Sequence, residues 1–236
     1  MQVAEQMSDY LLTGAVQNAL NMPSVTAEEA KVMGPWIKLT GHLGNFIGQM
    51  TDEPIKAINI LYDGEASEMN LKALTAATIA GIMTKANPDT NMVSAPVIAK
   101  ERGIKVSTTK QDQSGAFEGY VKVTVVTDKR ERSVAGTVFS DGKPRFIQIK
   151  GINIDAEIGE HMLYTTNEDR PGIIGALGTT MGQNDVNIAN FTLGRSEAKG
   201  EASALLYVDE PVPAAAMSAL EATGLFEQVK PLTFNV

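Results

Sequence analysis

The stretch from Asn167 to Gly175, NEDRPGIIG, places an amide, two acids and a base directly before a Pro-Gly pair. Proline is favoured in the first turn of a helix, and Asp is a preferred cap shortly before it. The pattern therefore predicts a helix that begins near Pro171. The free amides and the positive dipole end of such a helix attract a carboxylate, and Asp169 would attract an amine.

Two interpretations of this segment remain open from the residues alone. Gly172 would let a ligand approach the backbone, and Asn187, in the following DVNIAN segment, offers both a donor and an acceptor. A carboxylate site beside an amine site describes a small α-amino acid. In the other interpretation Asp169 is an ordinary helix cap and Asn187 an ordinary turn residue.

A second candidate site is weaker. Lys143, Arg145 and Lys150 surround an Asp-Gly turn and could bind a small anion, although a solvated strand face explains them more simply.

Catalytic and metal chemistry find little support in the sequence. His42 and His161 are the two histidines, and neither adjoins a nucleophile motif or a set of residues with metal-ligand spacing. We expect His42 to lie half-buried in a helix and His161 to lie at the surface. No G-x-G-x-x-G follows a strand, so we expect no nicotinamide site and no bound cofactor in this chain.

Composition narrows the class of protein. The 236 residues are 43% hydrophobic and 20% charged, which is typical of a globular chain with two domains. A net charge of −8 argues against nucleic acid as a partner. The absence of cysteine excludes disulfides and iron–sulfur ligation and fits a cytoplasmic location. No apolar run reaches the roughly 20 residues that a membrane span needs.

Periodicity predicts the elements of the first part of the chain. Residues 1–22 read as an amphipathic linking helix, and Thr26 with Glu29 forms a candidate capping box. A helix with one buried face, kinked or restarted at Pro35, continues to residue 50. We then expect a strand at 55–62, a helix at 71–87 and a short helix that runs from a Ser94 cap to Gly103.

The chain changes character twice after Gly103. Segments from 104 onward alternate β-branched and polar residues, which predicts a mixed or antiparallel sheet covered by the preceding helices in an α/β domain over 23–158. Residues 159–236 then follow the order βαββαβ, typical of a ferredoxin-like α+β domain. We expect the second face and the edges of that sheet to be open for pairing with another copy.

The combination of NEDRPGIIGALG, NDVNIANFTLGR and this element order resembles the ACT domain, a regulatory amino-acid-binding module. The segments VAEQMSDYLLTGAVQNALN, APVIAKERGI and RFIQIKG are similar to the linking helix and intervening domain that precede the ACT domain in the longer bacterial D-3-phosphoglycerate dehydrogenases. The resemblance implies a regulatory region of that NAD-dependent family, with the catalytic and NAD-binding domains upstream of Met1.

The resemblance also implies a ligand. Family members that bind L-serine do so between two ACT domains, at positions that match Asn167, Asp169 and Asn187, with backbone from Pro171 and Gly172. Self-association through ACT domains, as a dimer or within a tetrameric parent enzyme, is implied as well. Asn167 stands where relatives often have His or Tyr.

In some relatives the intervening domain binds a phosphorylated anion through cationic residues. Of those positions only Arg145 is clearly basic in this chain, because Ile152 and Glu157 stand where cations are expected.

Two other functions fit the same residues. The ACT pair would serve only subunit assembly if it bound nothing. The chain would instead belong to another amino-acid enzyme, such as a serine dehydratase, if a different catalytic part preceded it.

Overall fold

The computed structural model describes residues 4–6, 8, 27–112 and 115–236. The expected linking helix over 1–22 lies outside this part of the chain apart from its four described residues, and Thr26 of the predicted capping box lies outside it too. Within the described ranges no helix is both long and apolar enough to cross a membrane. The chain divides into two compact units, Met1–Pro144 and Arg145–Val236.

The helices and strands agree with most predicted elements. The helices are α1 (Ala27–Gln49), α2 (Leu71–Thr84), α3 (Ala95–Glu101), α4 (Ile173–Gln183) and α5 (Ala214–Ala222). The strands are β1 (Ile55–Gly64), β2 (Lys105–Gln111), β3 (Gly119–Thr127), β4 (Glu131–Val138), β5 (Pro144–Ile149), β6 (Ile152–Glu157), β7 (His161–Glu168), β8 (Ile188–Arg195), β9 (Glu201–Val208) and β10 (Gln228–Thr233). A short 3₁₀ helix, Glu65–Glu68, follows β1.

The first unit is a mixed sheet with helices packed on it. Its strands lie in the order β2-β1-β3-β4, in which β1 pairs parallel to β2 and antiparallel to β3. The inward residues of β1 and β3 are buried, as are apolar residues of α1 and α2, and they form the core: Ile58, Ile60, Tyr62, Val121, Val123, Leu39, Leu43 and Leu74. The predicted α/β class is thereby confirmed for this unit.

Glycines set the spacing of α1 and α2. A Cβ built on Gly44 would collide with the Thr78 carbonyl oxygen, and one on Gly48 would collide with that of Ile82. The two helices therefore touch backbone to backbone, which glycine permits because it has no Cβ. The glycines of GHLGNFIG thus have a packing role.

Pro35 and Ser94 do not act on their helices as the sequence predicts. Helix α1 runs through Pro35, so the proline does not restart a helix. Ser94 stands at the N-cap position of α3 but makes no capping bond through its side chain. The Asn91 carboxamide oxygen instead accepts from the amides of Val93 and Ser94. Gly103, at a φ of 69°, ends this segment as predicted.

The second unit contains the β5–β6 hairpin and a four-stranded antiparallel sheet of order β10-β7-β9-β8. Helices α4 and α5 cover one face of that sheet around Leu163, Leu177, Leu206 and Leu220. The predicted ferredoxin-like βαββαβ arrangement is therefore confirmed. The two units divide between Pro144 and Arg145, whereas the sequence pattern placed a domain boundary at 158.

The expectation that the second sheet face is open is wrong. Met162, Tyr164 and Leu205 point to that face, and none is more than 1% exposed. Part of the cover comes from β6, since a Cβ on Gly194 would collide with the Asn153 carbonyl oxygen. The outer edges of β8 and β10 have no strand partner within the described part of this unit.

Candidate functional site

The segment after β7 leads into the N-terminal end of α4. The helix begins at Ile173, slightly later than predicted, and Gly172 occupies the N-cap position with a φ of 99°. Gly172 has no side chain and so makes no capping hydrogen bond to this end. The first amides of the helix therefore lack the intrahelical acceptors that later turns have. Pro171 and Gly172 are exposed, so this end of the helix is accessible.

Asp169 holds the neighbouring β8–β9 turn and does not cap the helix. One carboxylate oxygen, Oδ2, accepts from Arg195 Nη1 at 2.9 Å and from the Lys199 amide at 3.2 Å. The Asp169 amide in turn donates to the Gly200 carbonyl at 2.8 Å. The Lys199 amide, followed by Arg195, holds the pKa of the Asp169 carboxyl below its usual value. The predicted amine-binding carboxylate is thus ionised and already paired with a cation.

Asn167 contributes a buried polar group. It is 1% exposed, and its Nδ2 donates to the Glu168 carbonyl at 2.7 Å. Its Oδ1 is buried and has no hydrogen-bond partner among the described residues. Buried acceptors are nearly always satisfied in native proteins, so this oxygen has unused capacity to accept a hydrogen bond from a ligand or a water molecule.

Sheet register places Asn167 and Arg195 in one row. Ala202 of β9 lies opposite both residues, Asn167 on β7 and Arg195 on β8. Directly opposed residues share a sheet face, here the face that the helices cover. Ala202 between them is fully buried and small. The end of the sheet from which the chain enters α4 therefore combines a cation, a carboxylate and an amide within one region.

Asn187 lies at the other end of the same sheet. It immediately precedes β8, whereas Arg195 is the last residue of that strand. At about 3.3 Å per residue, Asn187 and Arg195 are roughly 25 Å apart along the strand. Asn187 is exposed and donates through Nδ2 to Asp209 Oδ2 at 2.6 Å. One chain therefore brings Asn167 and Asp169 together but does not bring Asn187 to them.

The candidate anion residues are largely engaged with carboxylates. Arg145 Nη2 lies 3.1 Å from Glu157 Oε1, and Lys150 pairs with Glu201. Lys143 is exposed and belongs to the other compact unit. An incoming anion would have to compete with the carboxylates for Arg145 and Lys150, so the structure offers this site little support.

A cavity of about 520 Å³ in the first unit lies at the C-terminal ends of α1 and α2, and Asp52, Glu53 and Lys85 are among its lining residues. Lys85 lies 2.6 Å from Asp52, and Glu53 lies 2.9 Å from Arg130. Each of these three charges has an ion-pair partner, and Arg102 also lines the cavity. None of the site residues predicted from the sequence is among the lining residues.

The histidines show no catalytic arrangement. His42 is buried, and desolvation, followed by the charge of Lys38, lowers its pKa to about 4. His161, predicted at the surface, is partly buried, with Nε2 3.8 Å from Glu160 Oε1. Among the described residues no group of three or more His, Asp or Glu side chains is placed to hold a metal ion.

The fold and the residues at the start of α4 together define an ACT domain that follows an α/β domain in the chain. The ACT family model matches residues 161–224, and the model for the D-3-phosphoglycerate dehydrogenase intervening domain matches residues 32–150. The chain belongs to the D-3-phosphoglycerate dehydrogenase family and corresponds to the C-terminal regulatory region of its members.

Curated relatives agree with this assignment. The chain is 33% identical over 213 residues to D-3-phosphoglycerate dehydrogenase of Synechocystis, and 31% and 30% identical over 214 residues to those of Bacillus subtilis and Methanocaldococcus jannaschii. Each match covers 89% of this chain but only 38%, 41% and 40% of the respective relative. The chain thus spans about two fifths of the length of these relatives.

Arg195 is a site residue that the sequence did not indicate. It is the last residue of the NDVNIANFTLGR segment, but nothing in that segment singles it out, and its partner Asp169 is 26 positions away. The only available signal was the predicted βαββαβ order, which brings the end of the second strand close to the end of the first.

Proposed function

We propose that this chain binds L-serine between two paired ACT domains and so provides feedback control of a D-3-phosphoglycerate dehydrogenase. The observation that carries the proposal is the buried, unsatisfied Asn167 Oδ1 on the strand that leads to the uncapped N-terminal end of α4. A serine ammonium or hydroxyl group donates to this oxygen, and the helix amides bind the carboxylate.

Pairing of two β8 edges completes the site. In an antiparallel pair the start of one strand lies beside the end of the other. A two-fold axis through the middle of the two strands therefore places a second copy of Asn187 near Arg195 and Asp169. This arrangement explains why Asn187 lies far from the other site residues within one chain. The same pairing supplies one dimer contact of a larger oligomer.

The catalytic role belongs to the complete enzyme. We propose that the parent oxidises D-3-phosphoglycerate with NAD in the cytoplasm, in serine synthesis, and that its catalytic residues lie outside this chain. Serine binding favours the subunit arrangement with the higher serine affinity. If that arrangement has a less active catalytic cleft, inhibition follows from the difference in affinity alone.

Titration calorimetry of L-serine into the 236-residue chain tests the site. We expect Asp169→Ala to weaken binding about 10- to 100-fold, the usual effect of losing a hydrogen bond to a charged group. Glu221→Ala removes an exposed acid of the same unit and serves as the matched control. Equal affinity of Asp169→Ala and the wild-type chain would remove Asp169 from the site.

Sedimentation velocity distinguishes a regulatory domain that binds serine from a domain that serves only subunit assembly. A ligand shared by two chains stabilises their dimer by mass action. L-serine should therefore lower the dimer dissociation constant if the site is regulatory. A dimer that is equally stable with and without millimolar L-serine would favour a domain used only for assembly.

A further inference from the structure

We propose that Arg195 is a specificity-determining residue of this site: together with the amides at the start of α4, it binds the carboxylate of an amino-acid ligand whose ammonium Asp169 binds. This role rests on the proposed amino-acid site and adds Arg195 to the site residues that the sequence predicts.

Arg195 keeps donors that its contact with Asp169 does not use. A guanidinium has five N–H donors in a planar fork. Arg195 uses Nη1 for Asp169, and its side chain is 56% exposed. The rest of the fork is therefore open to solvent and able to bind a carboxylate.

Asp169 likewise keeps an acceptor. Both of its intramolecular donors, Arg195 Nη1 and the Lys199 amide, bind the same oxygen, Oδ2. The side chain is 23% exposed, and Oδ1 accepts neither of these hydrogen bonds, so it keeps the capacity to accept from an ammonium group. An ammonium therefore need not displace Arg195.

The pair has the charge arrangement of an α-amino acid. Asp169 and Arg195 present a negative and a positive group 2.9 Å apart, much as an amino acid presents a carboxylate beside an ammonium. When the ligand lies head to tail with Asp169 and Arg195, its ammonium faces Asp169 and its carboxylate faces Arg195. Both charges of the ligand are then satisfied at once. A ligand without the carboxylate cannot form the charge-assisted hydrogen bonds to the guanidinium, so it should bind more weakly.

The β8–β9 turn holds this geometry in place. The Ser196 amide closes the turn by donating to the Glu201 carbonyl at 2.9 Å, and Lys199 within it has a φ of 64°. Asp169 binds this turn through both its main chain and its side chain. The attachment keeps the carboxylate beside the end of β8, where Arg195 lies.

The test compares L-serine with L-serinamide, in which a neutral carboxamide replaces the carboxylate. Titration calorimetry of the full chain measures both ligands against wild type, Arg195→Gln and Arg195→Lys. We expect wild type to prefer L-serine and Arg195→Gln to reduce that preference about tenfold or more. Arg195→Lys keeps the charge without the fork and should lie between them.

Arg170→Gln is the matched control. It makes the same change of charge at a nearby exposed residue whose guanidinium contacts the Gly224 carbonyl at 3.4 Å. It should leave the preference for L-serine unchanged. If Arg170→Gln reduced the preference as much as Arg195→Gln, the general charge of the region would explain the effect and the inference would be overturned.

The remaining outcomes separate the two proposals. If Arg195→Gln weakens both ligands equally, the substitution only loosens the turn, and the role of Arg195 is refuted. If wild type binds L-serine and Arg195→Gln keeps the full preference, that role is refuted as well, while the serine site stands. If the wild-type chain binds no L-serine, both proposals fail.

Discussion

Asp169 shows how a single carboxylate is prepared for a ligand. The Lys199 amide and Arg195 both stabilise its ionised form, so its charge is present well below neutral pH. Because Asp169 stands two residues before Pro171, the sequence predicts that it caps the helix. In the structure its carboxylate instead accepts from the amide of Lys199, in a turn that is distant in sequence. Local spacing cannot reveal such a contact.

At Asn167, in contrast to Asp169, the sequence and the structure point in the same direction. The family resemblance points to it as a site residue, and the structure adds a reason why its carboxamide matters, namely a buried oxygen without a partner in the described chain. Burial of that kind depends on how the chain packs around the end of the sheet. It therefore follows from the tertiary structure and not from the residue type.

His42 gives a prediction at the same scale. Its pKa falls from 6.5 to about 4 because burial disfavours the charged ring. The unfolded chain thus binds a proton more readily than the folded one, so the contribution to stability is full above pH 6.5 and declines as the pH falls towards 4. Between pH 7 and pH 5 we expect a loss of about 2 kcal/mol from this residue.

Urea unfolding of wild type and His42→Gln at both pH values checks this expectation. The variant lacks the titrating ring and should lose less stability on acidification, while carboxylates affect both proteins alike. Identical pH dependence of the two free energies of unfolding would contradict it.

Among the secondary structure elements, α1 and α2 depend on glycine at their contact. Gly44→Ala would place a methyl group against the Thr78 backbone, and neither helix can move without disturbing the core between them. We expect the free energy of unfolding to fall by about 1–3 kcal/mol, the usual range for overpacking. Denaturant unfolding measures the effect.

Gly41→Ala is the control in the same helix, because its Cβ would meet no described atom within 4 Å apart from the backbone of the helix itself. That substitution should be neutral or stabilise the chain by up to about 1 kcal/mol through helix propensity. A Gly44→Ala variant as stable as Gly41→Ala would show that the helices separate at little cost.

The elements also show where prediction from sequence succeeds. Alternating and helical periodicities locate the strands and helices of the ACT domain within a few residues, because each element there has a clear buried face. The covered second face of its sheet escapes such reasoning for a topological reason. The β6 segment that packs against Gly194 precedes the βαββαβ pattern in sequence, so periodicity assigns it to the other domain.

At the scale of the whole molecule, the candidate surface for pairing two copies consists of the β8 edge and the outer side of α4. Ile174 of α4 is 58% exposed, and Leu193 of β8 is 37% exposed on the helix-covered face. Apart from the backbone of the helix itself, no described atom lies within 4 Å of a Cβ built on Gly175, Gly178 or Gly182, so this side of the helix is open to a close neighbour. Exposed apolar residues beside an unpaired strand edge are typical of an interaction surface.

A second copy on this surface makes the oligomeric state testable. Ile174→Asp adds a charge to a side chain that is already 58% exposed, so the monomer fold should tolerate it, whereas a buried dimer contact should not. We expect a dimer weaker by about tenfold or more in sedimentation velocity.

Val97→Asp, at a residue 56% exposed in the first unit, is the matched control and should sediment like wild type. If Ile174→Asp also sediments like wild type, the two-fold pairing through β8 and α4 is wrong, and a second copy of Asn187 cannot reach Asp169 in the proposed way.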